Sequence, residues 1–248
     1  MTIVILFAVH WLVSVFFQSS FQHSYAAHRM FTMSPLVERV YHMLAYLVQG
    51  SSYLSPRAYA VLHREHHAFS DTSGDPHAPS RFSNVFAMMW ATSRTFSAHL
   101  QRRSAPERRF LADLPEWPFL ERLGSSWASR IGWGTVYVLA YLWLATAWWQ
   151  FLLLPIHWML GPVHGAIVNW CGHRYGYRNF ATTDQSRNFL PIDFLTLGEL
   201  YQNNHHRAAG RLNFAARWFE FDPTFAVLRV LAAMRLIEMR PTELALAA

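Results

Sequence analysis

The chain has 248 residues, of which 52% are apolar and 16% aromatic, yet its mean hydropathy is only +0.08. This combination predicts apolar membrane spans that alternate with charged segments. All 21 basic residues are arginine, and the formal net charge is +6. The single cysteine, Cys171, excludes an internal disulfide framework and any cysteine-based zinc or iron–sulfur site.

The first predicted element is a transmembrane helix at residues 3–22. Residues 1–28 carry no charged side chain, and about 20 apolar residues are enough to cross the hydrocarbon core. The stretch lacks the basic start and small-residue cleavage site of a signal peptide. Two weaker segments follow: a re-entrant or interfacial helix at 40–53, and an amphipathic helix at 85–100 on the membrane surface.

A second uncharged stretch predicts two more spans. Residues 131–173 are 43 consecutive positions without Asp, Glu, Lys or Arg. A single helix of that length would be roughly 65 Å long, about twice the hydrocarbon thickness. We therefore predict a hairpin of spans at 131–150 and 153–172 with a turn near Pro155. The predicted fold class is all-α: one integral membrane domain over 1–248, with three to four spans and a cytoplasmic helical cap.

The arginines orient these spans. Every arginine lies between residues 29 and 130 or after residue 173. By the positive-inside rule both regions face the cytoplasm, and the N-terminus and the Pro155 turn lie on the opposite side. The exclusive use of arginine indicates a GC-rich, bacterial genome. We therefore expect an integral protein of a bacterial inner membrane with its functional face in the cytoplasm.

Eight of the fourteen histidines fall in four short clusters on that predicted cytoplasmic side. In HREHH, spacings of three and four put three imidazoles on one helical face, which suits a metal ion. His23 and His28 are about 140° apart on an ideal helix, so they bind different metals or need a locally distorted helix end. Asn169 and His173 share one face at a span end, where polar pairs are usually functional. The predicted metal ligands are His23, His28, His63, His66, His67, His173, His205 and His206.

The fourth cluster, QNNHH, has Gln202 where the spacing of HREHH would place a third imidazole. Its amide oxygen is a weaker ligand than imidazole, so Gln202 binds metal directly, binds it through water, or does not bind. Asn169 has the same options. Whether His164 binds metal also stays open, because the glycines and the proline around it can distort its helix.

With these motifs in this order, the chain resembles the membrane fatty acid desaturases, particularly the stearoyl-CoA desaturase-like branch. That family carries HxxxxH, HxxHH, NxxxH and HxxHH boxes. They read here HSYAAH from His23, HREHH from His63, NWCGH from Asn169 and QNNHH from Gln202. The run SDTSGDPHAP is similar to the family's S-x-T-x-x-D-P-H. The chain departs from the pattern at Gln202, and in having one span before the first box where animal relatives have two.

The resemblance implies two iron ions held mainly by imidazoles, O₂ as co-substrate, and a long-chain acyl substrate in a tunnel among the spans. Loss of two hydrogens from neighbouring carbons would leave a double bond. No flavin, haem or iron–sulfur motif is visible, so we expect a separate electron-transfer protein, ferredoxin-like or haem-containing, and no nucleic acid partner. The residues expected to orient the ligands are Glu199, Asp71, Asp75, His77 and Asp193.

Two other functions fit the same histidines. A fatty acyl or alkane hydroxylase uses similar boxes, although the order of the boxes and the DPH run favour desaturation. A His-rich metal transporter should place its ligands near the middle of the membrane, whereas these clusters lie at span ends. The sequence leaves open the chain length, the double-bond position, the choice between acyl-CoA and acyl-lipid, the redox partner and the oligomeric state.

Overall fold

The structure, a computed structural model, describes residues 1–240. This part of the chain is mostly helical, as predicted, with one short antiparallel pair of strands; the last eight residues of the predicted domain lie outside the described residues. The helices are α1 (Thr2–Phe17), α2 (Pro35–Gln49), α3 (Pro56–Phe69), α4 (Val85–Leu100), α5 (Pro118–Ser125), α6 (Trp127–Leu144), α7 (Leu154–Trp158), α8 (Leu160–Ala166), α9 (Gln202–Arg207) and α10 (Pro223–Ala233), and the strands are β1 (Phe31–Met33) and β2 (Ile237–Met239). Two π-helical segments, Gln18–Ala27 and Ile167–Cys171, continue α1 and α8.

Side-chain caps fix where several helices begin. In each case the residue before the helix accepts a hydrogen bond from the backbone N–H three positions later, which satisfies a donor that the helix leaves free. Proline follows the cap directly in α2, α3 and α10, where its missing N–H costs nothing. The capping residues are Ser34, Ser55, Asn84, Ser126 and Asp222.

The described residues contain one helix that is long and apolar enough to cross a membrane. It joins α1 to its π-helical continuation over Thr2–Ala27, with a mean hydropathy of 1.9. A second candidate is the bent pair Trp148–Trp158 and Leu160–Cys171, whose two parts meet at 79°. The predicted count of three to four spans is therefore not confirmed.

The predicted hairpin differs from the structure in two places. Helix α6 begins at Trp127 and ends at Leu144, short of the predicted boundary at 150. The predicted span at 153–172 is broken at Met159, between α7 and α8. Pro162 has no N–H to donate to the carbonyl of Trp158, and its ring would clash with that carbonyl in a continuous helix, so the helix is interrupted here. The segment predicted at 40–53 is the end of α2 followed by a 3₁₀ turn.

The main apolar core holds the π-helical segment in place. Phe21 and Tyr25 of that segment pack with Phe31 of β1 and Leu228 of α10, all buried. Strand β2 pairs with β1 in the register Phe31↔Met239, so the end of the described chain closes over the same core. Helix α3 lies against the π-helical segment from the other side. These contacts bring the first two histidine clusters together.

Candidate metal centre

The π-helical segment aligns the first pair of histidines. The backbone N–H of His28 donates to the carbonyl of His23 at 3.1 Å, the five-residue hydrogen bond that defines a π-helix. One turn therefore separates the two side chains, and their ring centroids are 5.0 Å apart. The structure thus has the distorted helix end, and the two imidazoles join the same group.

Five imidazoles meet in what we call the five-His group, with one nitrogen of each within 4.8 Å of the others. The Nε2 atoms of His28 and His63 are 2.8 Å apart. The Nε2 atom of His205 lies 3.0 Å from that of His23 and 3.0 Å from that of His67. Two ligands at right angles around an ion about 2.1 Å away are about 3 Å apart, so these spacings fit a shared metal ion. The members of the group are His23, His28, His63, His67 and His205.

The remaining predicted ligands, His66, His173 and His206, form the three-His group. The Nε2 atoms of His66 and His206 are 3.3 Å apart. The Nε2 atom of His173 is buried and has no hydrogen-bond partner among the described residues. All eight predicted ligands therefore fall into two neighbouring groups, supplied by the π-helical segment, α3, the end of the segment after α8, and α9.

Buried carboxylates fix the orientation of four of these rings. All three members of the three-His group donate from Nδ1: His66 to Asp75 at 2.9 Å, His173 to Asp71 at 2.9 Å and His206 to Asp184 at 2.7 Å. In the five-His group, His23 donates to Glu199 at 2.7 Å. A ring that keeps its proton on Nδ1 presents the lone pair of Nε2, which is how histidine usually binds metals.

This arrangement supplies a test of whether the residues fit a metal ion. With Nδ1 of both rings protonated, the Nε2 lone pairs of His66 and His206 face each other without a proton between them. Lone pairs at that distance repel, and a cation between them turns the repulsion into coordination. The residues present therefore fit metal ions at both groups, and neutral imidazole with carboxylate support is a ligand type that iron accepts.

Burial keeps the imidazoles neutral. It is the main cause that lowers the pKa of His63, His66 and His205 well below the ordinary value, and neighbouring imidazoles lower it further. Burial also lowers the pKa of His206, although the hydrogen bond to Asp184 opposes this. Burial alone would raise the pKa of Asp184, but hydrogen bonds from His206, Ser186 and Thr182 lower it, so the carboxylate stays ionised. Neutral imidazoles and ionised carboxylates are the forms that metal binding requires.

Of the five residues expected to orient the ligands, three contact a ligand directly and two do not. Glu199, Asp71 and Asp75 contact ligands directly. Asp193 does not: its buried carboxylate accepts backbone N–H groups of a turn at 196–200, so it shapes the turn that carries Glu199. His77 makes no side-chain hydrogen bond among the described residues, although its ring lies 4.4 Å from that of His66.

Asp184 is a functional residue that sequence reasoning missed. It lies in the loop between the third and fourth clusters, and no helical spacing links it to a histidine. The only signal is its neighbourhood: Thr182 and Ser186, on either side, donate to its carboxylate and fix it in a turn. Such turns are common without a metal, so the sequence alone does not single it out.

Two of the histidine boxes also contain a side-chain amide, and each amide is held by a backbone carbonyl. The amide nitrogen of Gln202 donates to the carbonyl of Glu199 at 2.7 Å, and that of Asn169 donates to the carbonyl of Gly165 at 2.8 Å. The amide oxygens of Gln202 and Asn169 accept no hydrogen bond from any described residue. Both side chains line the same cavity, so their oxygens can bind a metal ion or accept a hydrogen bond from a bound water.

An apolar cavity of about 930 Å³ reaches the five-His group at His63. Its volume lies in the range of about 300–1,000 Å³ that ligand pockets usually have. His63, Glu199 and Gln202 line its inner part, and the exposed Trp127 lies on its rim. His164 also lines it and belongs to neither histidine group. Its apolar lining includes Leu62, Phe96, Ile131, Val138, Met159 and Val168.

Fold and site together define a helical protein with two neighbouring polyhistidine groups that could hold metal ions, beside an apolar cavity. A family model described as fatty acid desaturase matches residues 1–243. The chain belongs to the fatty acid desaturase family, and the resemblance seen in the four boxes is confirmed.

Several curated relatives are similar over most of this chain. Delta-9 desaturase-like 3 protein of Arabidopsis thaliana is 29% identical over 217 residues, which are 83% of this chain and 66% of the relative. The sn-1 stearoyl-lipid 9-desaturase of a Synechocystis strain is 26% identical over 234 residues, covering 91% and 68%. An acyl-CoA 5-desaturase of Anemone leveillei is 27% identical over 214 residues, covering 84% and 62%. The chain thus spans about two thirds of the length of these relatives.

Proposed function

We propose that the protein is an O₂-dependent fatty acyl desaturase with a His-ligated pair of iron ions. The observation that carries this proposal is the pair of neighbouring histidine groups, of which the five-His group meets an apolar cavity at His63. When bound, reduced by two electrons and supplied with O₂, the iron pair would provide the oxidant that removes two hydrogens from neighbouring methylene carbons. The proposed ligands are the eight histidines of the two groups.

The chain's own residues position the metals and the substrate. Glu199, Asp71, Asp75 and Asp184 hold protons on Nδ1 of their histidines, so that Nε2 is available to a metal. The cavity wall excludes water from the acyl chain and leaves a run of methylene groups beside the histidines. Arg130 closes this wall, since its guanidinium donates to the carbonyls of the turn at 51–53.

The proposal extends to the membrane and to the electron donor. In this proposal the helix Thr2–Ala27 crosses a bacterial inner membrane and the metal centre faces the cytoplasm; the length and apolarity of the helix and the positions of the arginines support it. A separate ferredoxin-like or haem protein supplies the electrons. The relatives act on different substrates by name, a stearoyl-lipid and an acyl-CoA, so the proposal names a long acyl chain and keeps both carriers.

Fatty acid profiling tests this function. The native chain, His67→Ala and His42→Ala are expressed with an electron donor in a bacterium that makes no O₂-dependent unsaturated fatty acids. His42 is the matched control, because its imidazole is also buried but belongs to neither group. We expect a new monoene in aerobic cells with the native chain and with His42→Ala, and none with His67→Ala.

The same chromatograms distinguish the alternatives. A hydroxylated acyl chain in place of the monoene would move the protein to the hydroxylase class while keeping the metal centre. Full activity of an iron-replete His67→Ala protein would falsify the ligand assignment. Absence of both product and iron in the inserted native protein would refute the proposed function.

A further inference from the structure

We propose that the two metal positions are unequal: the five-His group holds its ion tightly, whereas the three-His group holds an exchangeable ion whose retention depends on Asp184. This inference rests on the metal centre of the proposed function and goes beyond it, because it assigns a separate binding property to each position.

The number of direct ligands differs between the groups. One position has five imidazoles and the other has three. The side chain that stands at the spacing of a further imidazole is Gln202, whose nitrogen is tied to the carbonyl of Glu199 and whose oxygen faces the cavity. An amide oxygen is a harder and weaker donor than imidazole for iron. Gln202 lies against Gly172, next to His173, so the three-His position has this weaker side chain where a fourth imidazole would stand.

The carboxylates are distributed in the opposite way. Each of the three imidazoles of the smaller group donates to its own carboxylate, whereas within the described chain only His23 does so in the five-His group. A carboxylate acts on the ion through the ring, so it compensates for a missing ligand only in part. Two additional direct bonds therefore outweigh two additional carboxylates, and the five-His position binds more strongly. For the same reason the three-His position depends more on each of its carboxylates.

Asp184 is the carboxylate on which this dependence is best measured. Its side chain is 11% exposed, more than those of Asp71 and Asp75, at 6% and 0%. Its carboxylate also accepts hydrogen bonds from Thr182 and Ser186, so a structural effect of its substitution must be separated from a metal effect. Asp184→Asn keeps the size of the side chain and removes the charge that faces His206. Loss of such a support lowers metal affinity by about 10–100-fold.

The test is iron retention by the purified full-length protein. Native chain, Asp184→Asn and the control Asp113→Asn, an exposed aspartate outside both groups, are loaded with Fe²⁺ without oxygen and desalted. Iron per chain is measured by mass spectrometry of the metal, and release is followed with a coloured chelator. We expect the native chain to release its iron in two phases, one ion faster than the other. Asp184→Asn should keep about one iron, and Asp113→Asn should match the native chain.

Two further variants separate a metal role of Asp184 from a structural one. Asp184→Asn combined with Gln202→His adds the imidazole that the three-His position lacks, and should recover the second iron. Glu199→Gln removes the carboxylate of the five-His group and should leave the fast release phase unchanged.

The outcomes that overturn the inference are distinct from those that overturn the function. Release of both irons from the native chain at one rate, or two irons kept by Asp184→Asn, would refute unequal sites while the desaturase proposal stands. A double variant that stays at one iron would show that Asp184 acts by folding its loop. A folded native chain that binds no iron would overturn the metal centre and the proposed function together.

Discussion

Asp75→Asn is the perturbation for which the structure gives the clearest expectation. The Asp75 carboxylate is fully buried and accepts three hydrogen bonds. One oxygen accepts from Nδ1 of His66 at 2.9 Å and from the N–H of Asp71 at 2.8 Å, and the other accepts from the N–H of His77 at 2.9 Å. Asparagine has nearly the same shape but only one oxygen, so one of the two sides must face an NH₂ group.

Both orientations of the asparagine are costly. If the NH₂ group faces the N–H of His77, two donors oppose each other in a buried place, which costs about 1–3 kcal/mol of stability. If it faces His66, that ring must keep its proton on Nε2, and the nitrogen that points into the three-His group can no longer bind metal. Second-layer substitutions of this kind weaken metal binding by about 10–100-fold, or roughly 1.4–2.8 kcal/mol.

The assay is iron content and thermal unfolding of the same preparations. Because either orientation leaves one defect, we expect Asp75→Asn to lose iron from the three-His group or to unfold at a lower temperature. Asp113→Asn is the control for an Asp-to-Asn change on the protein surface. Native iron content together with a native melting temperature in Asp75→Asn would refute the reasoning.

Three further predictions concern the loop, the cavity and the histidines. Gly176→Ala should lower the melting temperature, because Gly176 has φ +109° and an added Cβ would lie 2.0 Å from the carbonyl oxygen of Asn188; an unchanged melting curve would contradict this. Val138→Trp should shift products to shorter acyl chains, since Val138 lines the cavity; an unchanged chain-length profile would show that the acyl chain lies elsewhere. The metal-free protein should lose stability as the pH falls from about 6.5 towards 4, because burial lowers the pKa of His77 to about 4 and the unfolded chain takes up the proton first. The loss is about 1.4 kcal/mol per pH unit for each such histidine, and a urea midpoint that is constant over this range would argue against it.

The histidine boxes were readable from sequence because they depend on short helical spacings. HREHH lies on one continuous helix, α3, so the ideal angle between positions applies. The relative orientation of His23 and His28 could not be predicted, because a π-helix changes the angle between successive side chains. No local pattern in QSSFQHSYAA predicts a π-helix. Which imidazoles share a metal depends on how α3, α9 and the π-helical segment pack, and spacing within one element contains no such information.

The supporting carboxylates show the same limit. Asp75 follows the second box closely, and the turn between them brings it back to His66. Asp184 and His206 are 22 positions apart in sequence, whereas Asp193, closer to the last box, accepts backbone N–H groups instead. Composition predicted the helical class, but the broken helix at Met159 depends on how the nearby proline is accommodated, which hydropathy does not register.

The most direct test of the central claim uses a deuterated acyl chain. Purified, iron-loaded protein is incubated with a fully deuterated long-chain acyl substrate, an electron donor and O₂. The molecular mass of the product is measured by mass spectrometry. A desaturase predicts a product that has lost two deuterium atoms and gained no oxygen, and that disappears without O₂ or in His67→Ala. A product that has lost one deuterium and gained one oxygen, or a product that forms without O₂, would contradict the assignment.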